Sequence, residues 1–167
     1  PGWKTIMSDK RVVGGLGVGV LIAAAIENLS VVYGMWLARS FGLTLAALGL
    51  GSSVIGMAEL MGEGGVMALA DRLGKRRAVV CGIVLSTLSY MALPVMSTTL
   101  LGALLALFIV FVTFEFTVVS LIALMSELVP KSRTNVMSAN MAAHSAGRII
   151  GAPIGGALLS GGIGWTC

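Results

Sequence analysis

The sequence has 167 residues, of which 57% are hydrophobic and only 11% are charged, and its mean hydropathy is +1.00. A soluble domain carries about 25% charged residues, so this composition excludes an ordinary soluble domain and predicts a chain that faces lipid. The net charge of +4 does not indicate nucleic-acid binding, because the basic residues fall in short loops between apolar runs. The chain begins with Pro1, and we expect it to start inside a longer protein.

Five apolar stretches are long enough to cross a bilayer, which takes about 20 residues in a helix. Helices are expected because every backbone polar group must be satisfied within lipid. The predicted fold is therefore all-α, a single transmembrane domain over residues 1–167 built as a polytopic helix bundle. The five predicted spans cover residues 12–37, 43–70, 78–95, 100–129 and 136–163.

Basic residues collect on one side of this predicted bundle. Nine of the eleven Lys and Arg residues lie before the first span, between the second and third, or between the fourth and fifth, whereas Arg39 lies on the opposite side. Cytoplasmic loops are enriched in Lys and Arg, so the loops after the second and fourth spans are predicted to be cytoplasmic. The nine are Lys4, Lys10, Arg11, Arg72, Lys75, Arg76, Arg77, Lys131 and Arg133. Because five spans are an odd number, we expect a six-helix unit without its last helix.

Several polar residues lie inside the predicted spans, where a charge costs roughly 2.5–3.5 kcal/mol at a helix centre. Their similar depth on different helices predicts one shared polar cavity. Arg148 stays protonated and needs an anion. Glu115 is the preferred partner, and Glu27 is the second choice. An acid without a cation partner is a candidate proton carrier, although each acid could also serve as an interhelical hydrogen-bonding group. The set is Glu27, Asn28, Glu59, Glu63, Glu115 and Arg148.

The fifth span carries two further features. His144 lies one turn before Arg148 and could relay protons or simply pack between helices, the reading we favour. Gly147, Gly151 and Gly155 recur every fourth residue, a stripe that permits close helix contact, and Pro153 predicts a kink. A single histidine without neighbouring thiols makes a poor metal site, so no metal or other cofactor is expected.

The two basic loops contain residues that a simple charge bias does not explain. Gly74 permits a tight turn. Asp71 is expected to interact with the N-terminus of a neighbouring helix or with an arginine, since an anion is unfavourable at the C-terminal end of its own helix. In the later loop, Pro130 ends the fourth helix. Glu127 and Arg133 can then form an ion-pair cluster with the earlier loop. Such a cluster breaks when the helices separate, so it can favour one conformation of the protein over another.

These motifs resemble the major facilitator superfamily. The segment from Asp71 to Arg77, Asp-Arg-Leu-Gly-Lys-Arg-Arg, is similar to the family's signature loop, Asp-Arg-x-Gly-Arg-Arg, between the second and third helices of each half. The later loop is similar to the one after a fourth helix. The stripe in the fifth span is similar to the antiporter motif Gly-x-x-x-Gly-Pro-x-x-Gly-Gly. Two departures are Met67, where the family has glycine, and Pro153, one place late.

The resemblance implies secondary active transport of a small solute by alternating access, with proton-coupled efflux as one form of it. Its implied partners are the lipid bilayer, the substrate, protons and the missing half of the same polypeptide, in the plasma (inner) membrane. It favours helices seven to eleven of the full transporter over helices one to five. The alternative is a scaffold or sensor that does not transport. An intramembrane enzyme has no support, because His-Glu-x-x-His is absent and Ser52-Ser53 is a weak site.

Overall fold

The computed structural model describes residues 3–158, apart from the side chains of Lys4, Thr5, Ala70 and Asp71. Every element in this range is helical, which confirms the predicted all-α class. The elements are α1 (Trp3–Ser8), α2 (Lys10–Phe41), α3 (Leu45–Leu73), α4 (Lys75–Met96), α5 (Leu100–Leu128), a 3-10 turn (Pro130–Ser132) and α6 (Arg133–Leu158). The last five residues predicted for the fifth span lie outside the described residues.

The helix ends follow from local chemistry that the apolar stretches do not contain. Asp9 caps α2, and its carboxylate accepts a hydrogen bond of 2.9 Å from the backbone N–H of Arg11. At the other end Gly42 adopts φ +64° and donates its N–H to the carbonyl of Ala38, the usual left-handed helix stop. As a result, α2 is longer than the predicted span at both ends.

The two predicted loop devices are present in the structure. Gly74 alone separates α3 from α4 and has φ +80°, a conformation that costs glycine little. Pro130 follows the end of α5 at Leu128 and opens the 3-10 turn. Val129 before it has left the helical conformation, with φ −135° and ψ 82°, because proline disfavours the helical region for the residue that precedes it.

The contacts between helices give their relative directions. Gly147 lies against Ala23 and Gly155 against Asn28, so α2 and α6 run parallel. Contacts of Gly51 with Leu104 and of Gly65 with Phe116 show that α3 and α5 are also parallel. Hydrogen bonds between the hydroxyls of Ser89 and Thr113 and of Ser86 and Thr117 show that α4 and α5 are antiparallel. The starts of α2, α4 and α6 and the ends of α3 and α5 therefore share one end of the bundle, which we call the basic end.

Within residues 3–158, four helices are long and apolar enough to cross a membrane: α2, α3 over Leu45–Leu69, α4 and α5. Helix α6 lies along α2 but is not one of these four, because it carries Arg133, Asn140, His144 and Arg148 among its apolar residues. Helix α5 is the centre of the bundle and contacts α2, α3, α4 and α6. Its buried residues, which include Leu107, Val110, Phe111 and Phe114, form half of the largest apolar cluster.

Candidate functional site

Four of the predicted site residues lie at a common depth in the bundle. Glu27, Glu59, Glu115 and Arg148 are 13 to 17 residues from the basic ends of their helices, which places them between about 20 and 25 Å from that end at 1.5 Å per residue. They belong to α2, α3, α5 and α6. Helix α4 contributes no charged residue beyond its first turn, so the mid-depth charges belong to the other four long helices.

Arg148 pairs with Glu27. Its Nε lies 3.7 Å from Oε2 of Glu27, and the two side chains are 64% and 25% exposed. Glu115 was the preferred partner from sequence, and the structure places Arg148 with the second choice. The reason is helix packing: α6 lies along α2 over much of its length, whereas its contact with α5 is less extensive.

Glu115 occupies the α3–α5 side of the site. Gly62 of α3 packs directly against it. A Cβ added to Gly62 would lie only 2.7 Å from the Cβ of Glu115. Glu59 and Glu63 of α3 and Arg148 of α6 are charged neighbours of Glu115. Glu59 and Glu63 themselves are exposed on α3, and neither has a cation within salt-bridge range among the residues the structure describes.

The glycine stripe brings α6 against the backbone of α2. A Cβ on Gly147, Gly151 or Gly155 would overlap a carbonyl oxygen of α2, respectively those of Val20, Ala24 and Asn28. Such close approach is what small residues at four-residue spacing allow. The stripe therefore fixes the height of Arg148, which follows Gly147 directly, relative to Glu27. Pro153 remains inside the continuous helix α6.

A buried polar cluster near the stripe joins His144 to Asn140, a residue that the sequence analysis did not single out. Asn140 is fully buried, and within the described part of the chain neither polar atom of its side chain has a hydrogen-bond partner. His144 Nε2 is also buried without a partner there, and both side chains face Gly19. Asn140 precedes His144 by one turn on α6, and that spacing was the available signal. Ser120 of α5 is likewise fully buried with an unpartnered hydroxyl.

The predicted loop residues gather at the basic end. Lys75, at the start of α4, forms an ion pair with Glu127 near the end of α5. Arg133 lines the same groove, a cavity of about 390 Å³. Arg72, Arg76 and Arg77 are exposed. Asp71 lies within α3, and its side chain is outside the described residues.

Asn28 faces a different groove from the charged residues. This groove, of about 330 Å³, lies between α2, α4 and α5, and its lining includes Asn28, Ser86, Thr117 and Tyr90 but none of the mid-depth glutamates or Arg148. The charged residues therefore belong to another face of the bundle. That face is exposed at Glu59, Glu63 and Arg148.

A family model described as Major Facilitator Superfamily matches residues 15–167. The chain belongs to the Major Facilitator Superfamily. The match includes both basic loops, the mid-depth charges and the glycine stripe, and it confirms the resemblance that the loop motifs indicated.

One curated member of the Major Facilitator Superfamily shows the scale of the chain. The "Uncharacterized MFS-type transporter YceJ" of Bacillus subtilis (strain 168) is 26% identical over 125 residues, which are 75% of this chain and 32% of that protein. The chain thus spans about a third of the length of the relative. No solved structure matches the present chain significantly.

Proposed function

We propose that this chain is part of a secondary active transporter that moves a small solute across the plasma (inner) membrane by alternating access. The observation that carries the proposal is the ion pair of Arg148 with Glu27, set at mid-depth among further carboxylates on neighbouring helices. Charges at this depth are costly and mark solute or ion pathways in membrane proteins. Family membership supports the same function.

The charged face would line a cavity that the rest of the polypeptide completes. Transporter sites of this kind lie near the bilayer midplane at the interface between structural repeats. Exposure of Glu59, Glu63 and Arg148 on one bundle is what such an incomplete site requires. We assign the chain to helices seven to eleven of the full transporter, with α6 as the fifth span of its half and the loops after α3 and α5 in the cytoplasm.

Proton-coupled efflux is the mode that the charge balance favours. Three glutamates, Glu27, Glu59 and Glu115, share the mid-depth region with one guanidinium, and Glu63 lies one turn nearer the basic end. Carboxylates inside membrane-spanning helices serve as proton relays in pumps and transporters. Exchange of those protons for a solute would couple the two movements. Transient loss of the Lys75–Glu127 pair at the basic end would accompany the change of access.

The test uses the complete polypeptide in liposomes that enclose a pH-sensitive dye. With the outside acidified, a panel of cationic, neutral and anionic solutes is loaded inside. A transported solute is expected to acidify the lumen as it leaves, and Glu27→Gln is expected to abolish that signal. A scaffold or sensor, the alternative function, would bind solutes or partners without any solute-dependent proton movement, and that result would contradict the proposal.

A further inference from the structure

A furrow of about 430 Å³ lies at the basic end of the bundle, between α2, α4 and α5. Its lining includes Arg11, Gly14 and Val18 of α2, Arg76 of α4, and Leu124 and Leu128 of α5. Apart from its two arginines this lining is glycine and apolar residues. The groove beside Asn28 lies deeper along the same three helices.

The charges at the mouth of the furrow are suited to a single anion. The side chain of Arg11 is 79% exposed, and its Nε lies 3.6 Å from Asp9, too far for a hydrogen bond. Arg76 is exposed, and no carboxylate among the described side chains lies within salt-bridge range of it. Among the described side chains, the guanidinium groups of Arg11 and Arg76 and the carboxylate of Asp9 leave one net positive charge.

The length of the furrow fits within one leaflet of a bilayer. Arg11 and Val18, which line its two ends on α2, are seven residues apart, about 10 Å along the helix. The hydrocarbon core of a bilayer is about 30 Å thick, so one leaflet takes about 15 Å. An apolar furrow of this length with a cationic mouth has the shape and charge of a phospholipid with its head group at the basic end.

We propose that the furrow between α2 and α4 is a binding site for an anionic phospholipid, with the phosphate at Arg11 and Arg76 and an acyl chain over Gly14 and Val18. Basic pockets between transmembrane helices on the cytoplasmic side bind anionic head groups. The two glycines of α2 that line this part, Gly14 and Gly15, deepen the furrow. Gly14 has nothing within 4 Å of the position of a Cβ, so the space above it is open.

The test measures lipid retained by the complete polypeptide after purification. The protein is exposed to an equimolar mixture of phosphatidylglycerol and phosphatidylcholine in detergent, and bound lipids are counted by native mass spectrometry. The wild type is expected to retain phosphatidylglycerol preferentially. Arg11→Gln and Arg76→Gln should each lower that retention about fivefold, the effect of one basic residue at an anionic membrane surface.

Two pairs of variants separate the furrow from surface charge. Gly14→Leu fills the furrow and keeps both arginines, whereas Gly17→Leu adds the same side chain at a glycine that also has nothing within 4 Å but does not line the cavity. Lys10→Gln removes a neighbouring exposed charge that does not line it either. Loss of phosphatidylglycerol in Gly14→Leu and the arginine variants, with retention in the two controls, supports the site.

Three results would overturn the proposal. Equal retention in Gly14→Leu and Gly17→Leu would show that the lipid does not occupy the furrow. Equal losses in Lys10→Gln and Arg76→Gln would show a general surface effect. A lowered melting temperature in Gly14→Leu, without any lipid preference in the wild type, would show that another part of the polypeptide fills the furrow. If Gly14→Leu does not fold, Arg76→Gln against Lys10→Gln decides alone.

Discussion

The ion pair of Arg148 with Glu27 joins two parallel helices at mid-depth. We predict that Arg148→Gln lowers transport by the complete protein about tenfold or more, because it leaves the charge of Glu27 without its partner at mid-depth. Arg148→Lys should recover only part of the activity, because lysine lacks the planar fork of arginine. Solute-dependent proton movement in liposomes measures both, with Lys131→Gln, an exposed change at the basic end, as control. Full activity of Arg148→Gln would remove the pair from the mechanism.

Asn140 gives a prediction about stability. A buried polar group without a hydrogen bond costs about 1–3 kcal/mol, and both polar atoms of this amide are in that position among the described residues. Asn140→Leu should therefore raise the melting temperature of the complete protein in detergent. Ser145→Leu places a leucine at an exposed position of the same helix and should have little effect. A lower melting temperature for Asn140→Leu would mean that the amide has a partner in the membrane.

At this scale the sequence identified which residues are chemically unusual but not which of them meet. An arginine at mid-depth needs an anion, so the need for a carboxylate partner followed from Arg148 alone. The choice between Glu27 and Glu115 depends on whether α6 packs on α2 or on α5, and that depends on glycine contacts between distant parts of the chain. Asn140 was missed because a neutral amide in an apolar helix carries little signal until its burial is known.

The contact between α2 and α6 is the element that sets the site. We predict that Gly151→Ala destabilises the protein by about 1–3 kcal/mol, the usual cost of overpacking, because its Cβ would collide with the backbone of Ala24. Gly156→Ala on the same helix has open space at its Cβ and should be neutral or slightly stabilising, since alanine favours helix. Thermal unfolding in detergent compares the two. Equal effects would contradict the close contact.

The helices themselves were largely predictable, because long apolar runs between basic loops have few alternatives in lipid. Their ends were less so: Asp9 and Gly42 extend α2 beyond its apolar residues. Helix α6 was predicted as the fifth apolar stretch, with support from the alternation of basic loops. Over its described residues its composition is too polar to put it among the four candidate spans. The parallel packing of α2 on α6 and of α3 on α5 involves helices that are not neighbours in sequence, so hydropathy could not reveal it.

The excess of Lys and Arg at the basic end predicts that this end of the bundle faces the cytoplasm. We predict that Lys131→Cys is protected from a membrane-impermeant thiol reagent in intact cells and that Thr98→Cys is labelled. Both positions are exposed at opposite ends of the bundle, and basic loops stay in the cytoplasm. Cys81 and Cys167 are first replaced by serine. Labelling of Lys131→Cys with protection of Thr98→Cys would reverse the topology.

The central claim is that the face with Glu59, Glu63 and Arg148 lines an aqueous cavity open to alternate sides of the membrane. The most direct measurement is labelling of Glu59→Cys in the complete, cysteine-free protein by a polar thiol reagent, applied from either side with and without an imposed proton gradient. Leu88→Cys is the control, because α4 exposes apolar residues there. The account predicts that Glu59→Cys reacts from both sides, in proportions that the gradient shifts, whereas Leu88→Cys stays unreactive. Equal lack of reaction at both positions would mean that the charged face meets lipid or protein, and would contradict transport through it.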